Sequence, residues 1–264
     1  MKHHNHSKLF PVYIGIILAL IYVPIVLVIL YSFNESRLSS VWGGFSLHWY
    51  RELFRDRSMF EALRNSLVLA TLTSFGSAII GTLGAYGMMS GKTGKTAKTI
   101  EYFSILPIMT PEIILGIAFL AFFSFLAIPF GMTTLVIAHT TFCVPYVYLL
   151  VKARLAGLEK SYIEAAKIMG ATDTRAFYDI TLPLVLPAVI SGMLISFAMS
   201  FDDVIISVFV AGVHTNTLPM KIYSQIKTGV TPKTNAMCTL IFVLTVILCL
   251  TAAMLAKKKE QKNL

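Results

Sequence analysis

Three carboxylates stand inside stretches that are otherwise hydrocarbon-like: Glu112, beside Pro111, and the adjacent pair Asp202 and Asp203. An ionisable group at membrane depth is costly, so an intramembrane acid marks either a polar path or a paired structural role. Two neighbouring acids on one helix cannot both face lipid. At least one of Asp202 and Asp203 must face a cavity or a cationic partner. Around Glu112, Pro107 and Pro111 break the helix and leave backbone groups in need of partners, which favours a structural role. His139 lies in another apolar run and reads as a hydrogen-bonded packing residue rather than a ligand. The chain has no HExxH and no GxSxG, and no nucleophile–base pair at any familiar spacing. Catalysis by this chain is therefore not expected.

The stretch SGKTGKTAKT, residues 90–99, imitates a phosphate-binding loop and is not one. Walker A needs Gly, four residues, then Gly-Lys-Ser/Thr, and the required first glycines are Tyr86 and Met89. The stretch also follows an apolar helix rather than a strand. It reads as a basic turn, and no cofactor is expected on this chain. Cys143, Cys238 and Cys249 sit in apolar runs without a CxxC and read as small buried hydrophobes. His3, His4 and His6 lie in a polar tail with nothing nearby to complete a metal site, so no metal is expected.

The elements that must position these residues are membrane spans. The chain is 56% apolar and only 13% charged, which is too little charge for a soluble domain. Its mean hydropathy is +0.75. Several apolar runs reach the ~20 residues that cross a bilayer. Period-2 alternation is absent, so the expected class is all-α, a polytopic bundle of six helices. The expected spans are 9–33, 63–89, 100–125, 133–151, 184–210 and 236–256. They are flanked by tails at 1–8 and 257–264. The first run is too long for a cleaved leader and lacks an Ala-x-Ala exit, so it stays as a span. Pro24 kinks it. In the second, Ser77, Gly81 and Ala85 recur every four residues and form a smooth stripe for a neighbouring helix. In the loop 34–62, Trp42, Trp49 and Tyr50 suit an interface, and HWYRELFRD suits an amphipathic helix lying there.

The net charge of +9 fits basic loops facing anionic headgroups rather than nucleic acid. Of the 22 Lys and Arg, 14 fall on the side that holds both tails, the 90–99 turn and the 152–183 loop, and 8 on the other. The positive-inside rule therefore places both termini and the 152–183 loop in the cytoplasm.

That loop contains EAAKIMGATDTRAFYDITLP, residues 164–183. Good helix formers run from Ser161 to Met169, and Ala165-Ala166 leaves a bare patch where another backbone can approach. Gly170 can adopt positive φ and end the helix. Thr172 or Asp173 can cap a second short helix. Pro183 then starts the next element. The expected result is two short helices at an angle.

The skeleton Glu164-Ala165-Ala166, Gly170, Ile180, Leu182-Pro183 resembles the EAA loop of bacterial ABC-importer permeases, a helical hook that docks into a groove on the ATPase subunit. Over nearly its full length the chain resembles the permeases of spermidine/putrescine importers, and among them the smaller, C-type subunits. YSFN (31–34), PIMTPEI (107–113), HTTFCVPY (139–146), SFAMSFDDVIISVFVAG (196–212) and TLPMKIYSQIKTGVTPKTNA (217–236) carry that likeness. It implies a type I ABC-importer permease fold in a bacterial cytoplasmic membrane. It also implies a second homologous permease subunit, two ATPase subunits holding ATP and Mg, and an extracytoplasmic polyamine-binding protein.

The hook residues would transmit motion and catalyse nothing. A polyamine, several ammonium groups on an apolar stem, needs spaced carboxylates with aromatic walls. Asp202, Asp203 and Glu112 are the candidate acids, and Phe201, Tyr146 and Tyr223 the candidate walls. For Asp202 and Asp203 an inter-subunit salt bridge or a helix-end hydrogen-bond network remains equally open. The alternatives are a related permease for ferric iron, thiamine or an oxyanion, and a proton-coupled secondary transporter. An anion sits poorly beside the two aspartates, and the two halves show no inverted repeat.

Overall fold

A chain this apolar must satisfy its backbone internally, and it does so with helices. The computed structural model describes residues 9–37, 41–90, 95–158, 162, 165–166, 168–213, 215–229 and 231–262. The tail 1–8 and its histidines lie outside the described residues. The helices are α1 (Leu9–Ser32), α2 (His48–Arg55), α3 (Arg57–Ser90), α4 (Lys95–Met109), α5 (Glu112–Phe125) and α6 (Met132–Ala156). They continue with α7 (Asp173–Ala176), a π turn (Phe177–Thr181), α8 (Leu182–Asp202), α9 (Ile205–Val210), α10 (Leu218–Thr228) and α11 (Pro232–Lys262). Among the described residues the one extended pairing is an isolated antiparallel bridge between Asn34 and Phe45.

Two compact units result, one built from residues 1–59 and 224–264, the other from 60–223. In the first, α1 and α2 both pack on α11. The loop after α1 is tied by Asn34, whose side chain accepts from Gly43 N–H at 2.8 Å and donates to the Val41 carbonyl at 2.8 Å. Phe33 stacks on Phe45 with centroids 5.0 Å apart. The amphipathic helix expected at HWYRELFRD is α2, with Trp49 and Leu53 buried and Phe54 exposed. Lys233 pairs with Asp56 at 2.8 Å.

In the second unit, one core gathers Leu69, Phe123, Leu135, Phe142, Ile206 and Val210. Another gathers Ala78, Ala85, Val147, Val151, Val185 and Val189. The small-residue stripe on α3 is what lets α6 come close. A Cβ on Gly81 would lie 2.8 Å from Val147 Cβ and 3.0 Å from the Tyr148 amide nitrogen. On the other side of Val147, a Cβ on Gly192 of α8 would lie 3.1 Å from Val147 Cα. Gly84, one turn along α3, meets only the Tyr148 ring edge at 3.7 Å. Gly81→Ala is thus expected to destabilise by about 1–3 kcal/mol through overpacking, while Gly84→Ala is tolerated. Thermal unfolding of the detergent-solubilised protein separates the two.

Among the described residues, four helices are long and apolar enough to cross a membrane unaided: Phe10–Tyr31, Arg57–Met89, Met132–Ala156 and Asp173–Asp202. Of the six expected spans, the third is broken, as Pro107 and Pro111 suggested, and the fifth is shorter than expected. The third is a pair of helices, Thr99–Met109 and Glu112–Phe125, bent by 111° at the Thr110–Pro111 break. The fifth does not run on to residue 210. It stops at Asp202, and α9 starts afresh after Asp203 and Val204. The last is α11, Pro232–Lys262, which carries the expected span 236–256. The second helix of the hook also differs from expectation. From Asp173 it continues directly into α8 through the π turn just ahead of Pro183, where the ladder is already irregular and a missing N–H is accommodated.

Candidate functional site

The break between α8 and α9 is built around Asp203. Its backbone is extended (φ −68°, ψ 130°), which ends α8. Its carboxylate then caps the next helix: Oδ1 accepts from Ile206 N–H at 3.2 Å, and Oδ2 from Ser207 N–H at 2.9 Å and Ser207 O–H at 2.9 Å. Free N–H groups at a helix start need such acceptors, above all where water is scarce. His139 of α6 closes the network. Its Nε2 lies 3.3 Å from Asp203 Oδ2 and 3.1 Å from Ser207 Oγ, and its Nδ1 lies 2.9 Å from Ser200 Oγ. The His139 and Asp203 side chains are 1% and 4% exposed.

Asp202 is treated differently. It is exposed, and it lines a cleft of about 470 Å³ together with Glu112, Met199, Val204 and Ile205; the rim of Asp203 also reaches it. Glu112 is the first residue of α5, where a carboxylate complements the helix N-terminus. The three acids singled out in the sequence therefore share one cleft between two helix breaks. The aromatic candidates do not line it. Phe201 stacks on Phe197 at 6.0 Å. Tyr146 packs edge-on against Phe142 at 5.8 Å. Tyr223 is half exposed on α10.

On the 152–183 loop, Ala165, Ala166, Gly170 and Ile180 line a second cleft, of about 630 Å³. Gly170 takes φ +86°, and the Ala171 N–H returns to the Ala166 carbonyl at 2.9 Å, closing the helix end. Thr172 caps α7 by accepting from Arg175 N–H at 3.3 Å. Ile168 and Met169 stand 87% and 88% exposed, an apolar knob on a charged loop. Phe177 of the π turn is buried against Tyr86 of α3, centroids 4.5 Å apart, and Leu182 packs on the core. Pro183 is exposed in the first turn of α8. Glu164 lies outside the described residues. Since a Cβ on Gly170 would meet open space, Gly170→Ala has a purely conformational cost of about 1–2 kcal/mol. Faster amide hydrogen exchange at Ala171 is the expected sign of it.

The profile of the family described as binding-protein-dependent transport system inner membrane component matches residues 77–259. The chain belongs to this family. This inner-membrane component is 37% identical to the spermidine/putrescine transport system permease protein PotC of Haemophilus influenzae, over 93% of this chain and 95% of that one. It is 39% identical to the putrescine transport system permease protein PotI of Escherichia coli K12, over 84% and 81%. Its fold matches a chain of a bacterial ABC transporter involved in alginate import with TM-score 0.75 at 14% identity, covering 96% and 99% of the two chains. A chain of the MetNI methionine ABC transporter matches with TM-score 0.62 at 19% identity, covering 79% and 95%. It is thus an all-α, multi-pass membrane permease component with the fold of ABC-importer membrane subunits.

Two features of this inner-membrane component escaped the sequence reading. His139 was legible as a hydrogen-bonded packing residue, but not as the partner of Asp203. The signal was there in the spacing, because Ser200 and Ser207 flank Asp203 by three and four residues. The second is an ion pair between Lys152 of α6 and Glu101 of α4, with the Lys152 ammonium 5.9 Å from the Tyr148 ring centre.

Proposed function

We propose that this chain is one of two homologous permease subunits of an ATP-driven importer of polyamines. The observation that carries the substrate class is the cleft at the two helix breaks, lined by Glu112, Asp202 and the edge of Asp203, without a described Lys or Arg on its walls. Carboxylates gathered on one cleft attract ammonium groups, the more strongly the less water screens them. The likeness to PotC and PotI supports the same class. An oxyanion would meet repulsion there.

In this reading both termini and the hook face the cytoplasm of a bacterial cell, as the distribution of Lys and Arg supports. Two ATPase subunits, which hold ATP and Mg, grip the hooks of the two permeases. Glu164, Ala165, Ala166, Gly170, Ile180, Leu182 and Pro183 transmit their closure. The continuity of α7, the π turn and α8 supports this, since a push on the hook passes along one helix to Asp202 at its far end. An extracytoplasmic binding protein delivers the polyamine. Within the cleft, Asp202 and Glu112 receive the ammonium groups.

The test is energetic. Vesicles holding the whole complex should take up labelled putrescine or spermidine with internal ATP and a protonophore present, and should stop when the ATPase is inactivated. Uptake that collapses with the proton gradient and ignores the ATPase would replace this reading with secondary transport.

A further inference from the structure

Two adjacent aspartates end up in different surroundings, and a residue on another helix makes the difference. Asp203 needs donors for a buried carboxylate, and the start of α9 supplies Ile206 N–H, Ser207 N–H and Ser207 O–H. Ser207 has a single hydroxyl hydrogen, and an ionised carboxylate can only accept. With that hydrogen on Asp203, Nε2 of His139, at 3.1 Å from Ser207 Oγ and 3.3 Å from Asp203 Oδ2, must carry a hydrogen of its own. His139 Nδ1 then meets Ser200 Oγ on α8, at 2.9 Å. The imidazole therefore bridges the last turn of α8 and the first turn of α9 from a helix that packs on both. At the break itself, Val204 and Ile205 line the cleft beside Asp202.

We infer that His139 is a positioning residue of the cleft: by locking Asp203 and the two serines across the α8–α9 break, it fixes that break and leaves Asp202 as the aspartate presented to the passing solute. Only the nature of the solute rests on the polyamine reading; the locked break does not. Loss of the imidazole should free the break, so that α9 shifts its start and Val204 changes its exposure.

The experiment uses the whole transporter in membrane vesicles, with the three native cysteines replaced by alanine and Val204→Cys as reporter. The probe is a charged, water-soluble thiol reagent, and no substrate is added. His139→Ala should raise the labelling rate about tenfold or more, as expected when a local opening becomes easier. His139→Gln, which keeps a donor toward Asp203, should restore the rate to within about twofold of the His139 protein. An unchanged rate in His139→Ala, or a glutamine no better than alanine, overturns the inference.

If the alanine variant does not assemble, Ser200→Ala removes only the Nδ1 partner. It should raise the rate by about threefold, consistent with loss of one hydrogen bond, and no change overturns the inference. In uptake assays of the same vesicles, His139→Ala should raise the half-saturating polyamine concentration more than it lowers the maximal rate. A purely structural role would instead lower the maximal rate alone, through lost complex. Failure of the His139 protein itself to take up polyamine removes the polyamine reading and leaves the labelling result to decide on His139.

Discussion

Asp203→Ala is expected to destabilise the protein by about 2–4 kcal/mol, the cost of leaving several buried donors without their acceptor. Asp202→Asn, one residue away, is expected to leave stability within about 0.5 kcal/mol, as an exposed polar change does. The alanine strips the Ile206 and Ser207 N–H groups of their acceptor and leaves His139 facing an apolar gap. The asparagine removes only a charge from the cleft wall. Function should sort the other way. Asp202→Asn should assemble normally and need several-fold more polyamine for half-saturation, whereas Asp203→Ala should lose uptake chiefly because less complex survives. Thermal unfolding and uptake normalised to assembled complex separate the two. Equal loss of stability in both variants would contradict the division of roles.

Ala165→Phe in the hook is expected to abolish transport without unfolding the permease. Ala165 is exposed and lines the cleft with Ala166, Gly170 and Ile180, so a phenyl ring fills the space that an incoming backbone needs while disturbing no core contact. Uptake should fall by about tenfold or more, equivalent to about 1.4 kcal/mol of lost coupling, with basal ATPase activity retained and its stimulation by the loaded binding protein lost. Glu164→Ala should act in the same direction. An ATPase still fully stimulated in Ala165→Phe would remove the hook from the transmission path.

Much of the architecture was readable because the physics involved is local. Apolar runs announce spans, and Ser77, Gly81 and Ala85 announce a close helix contact that Val147 does make. Gly170 and Thr172 announce a turn and a cap, and both behave so. What local rules missed depends on contacts distant in sequence. Nothing in 184–210 alone says that the helix stops at Asp202, since its apolar content continues to Val210. The stop comes from a carboxylate that finds two backbone N–H groups ahead of it and an imidazole on α6, 64 residues earlier by numbering from Asp203 to His139. Pro183 looked like an interruption, but the π turn just before it accommodates the proline, and the helix that starts at Asp173 runs on into α8. The aromatic candidates depend on the same distant contacts: Phe201 stacks on Phe197, and Tyr146 packs on Phe142.

Uptake of labelled spermidine into proteoliposomes that contain the complete complex and internal ATP bears most directly on the cation path. The acid-lined cleft predicts saturable uptake by the unaltered complex and a several-fold rise in the half-saturating concentration in Asp202→Asn, at equal assembly and basal ATPase activity. Spermidine and putrescine uptake indistinguishable from empty vesicles, or an Asp202→Asn complex that transports with unaltered kinetics, would contradict it.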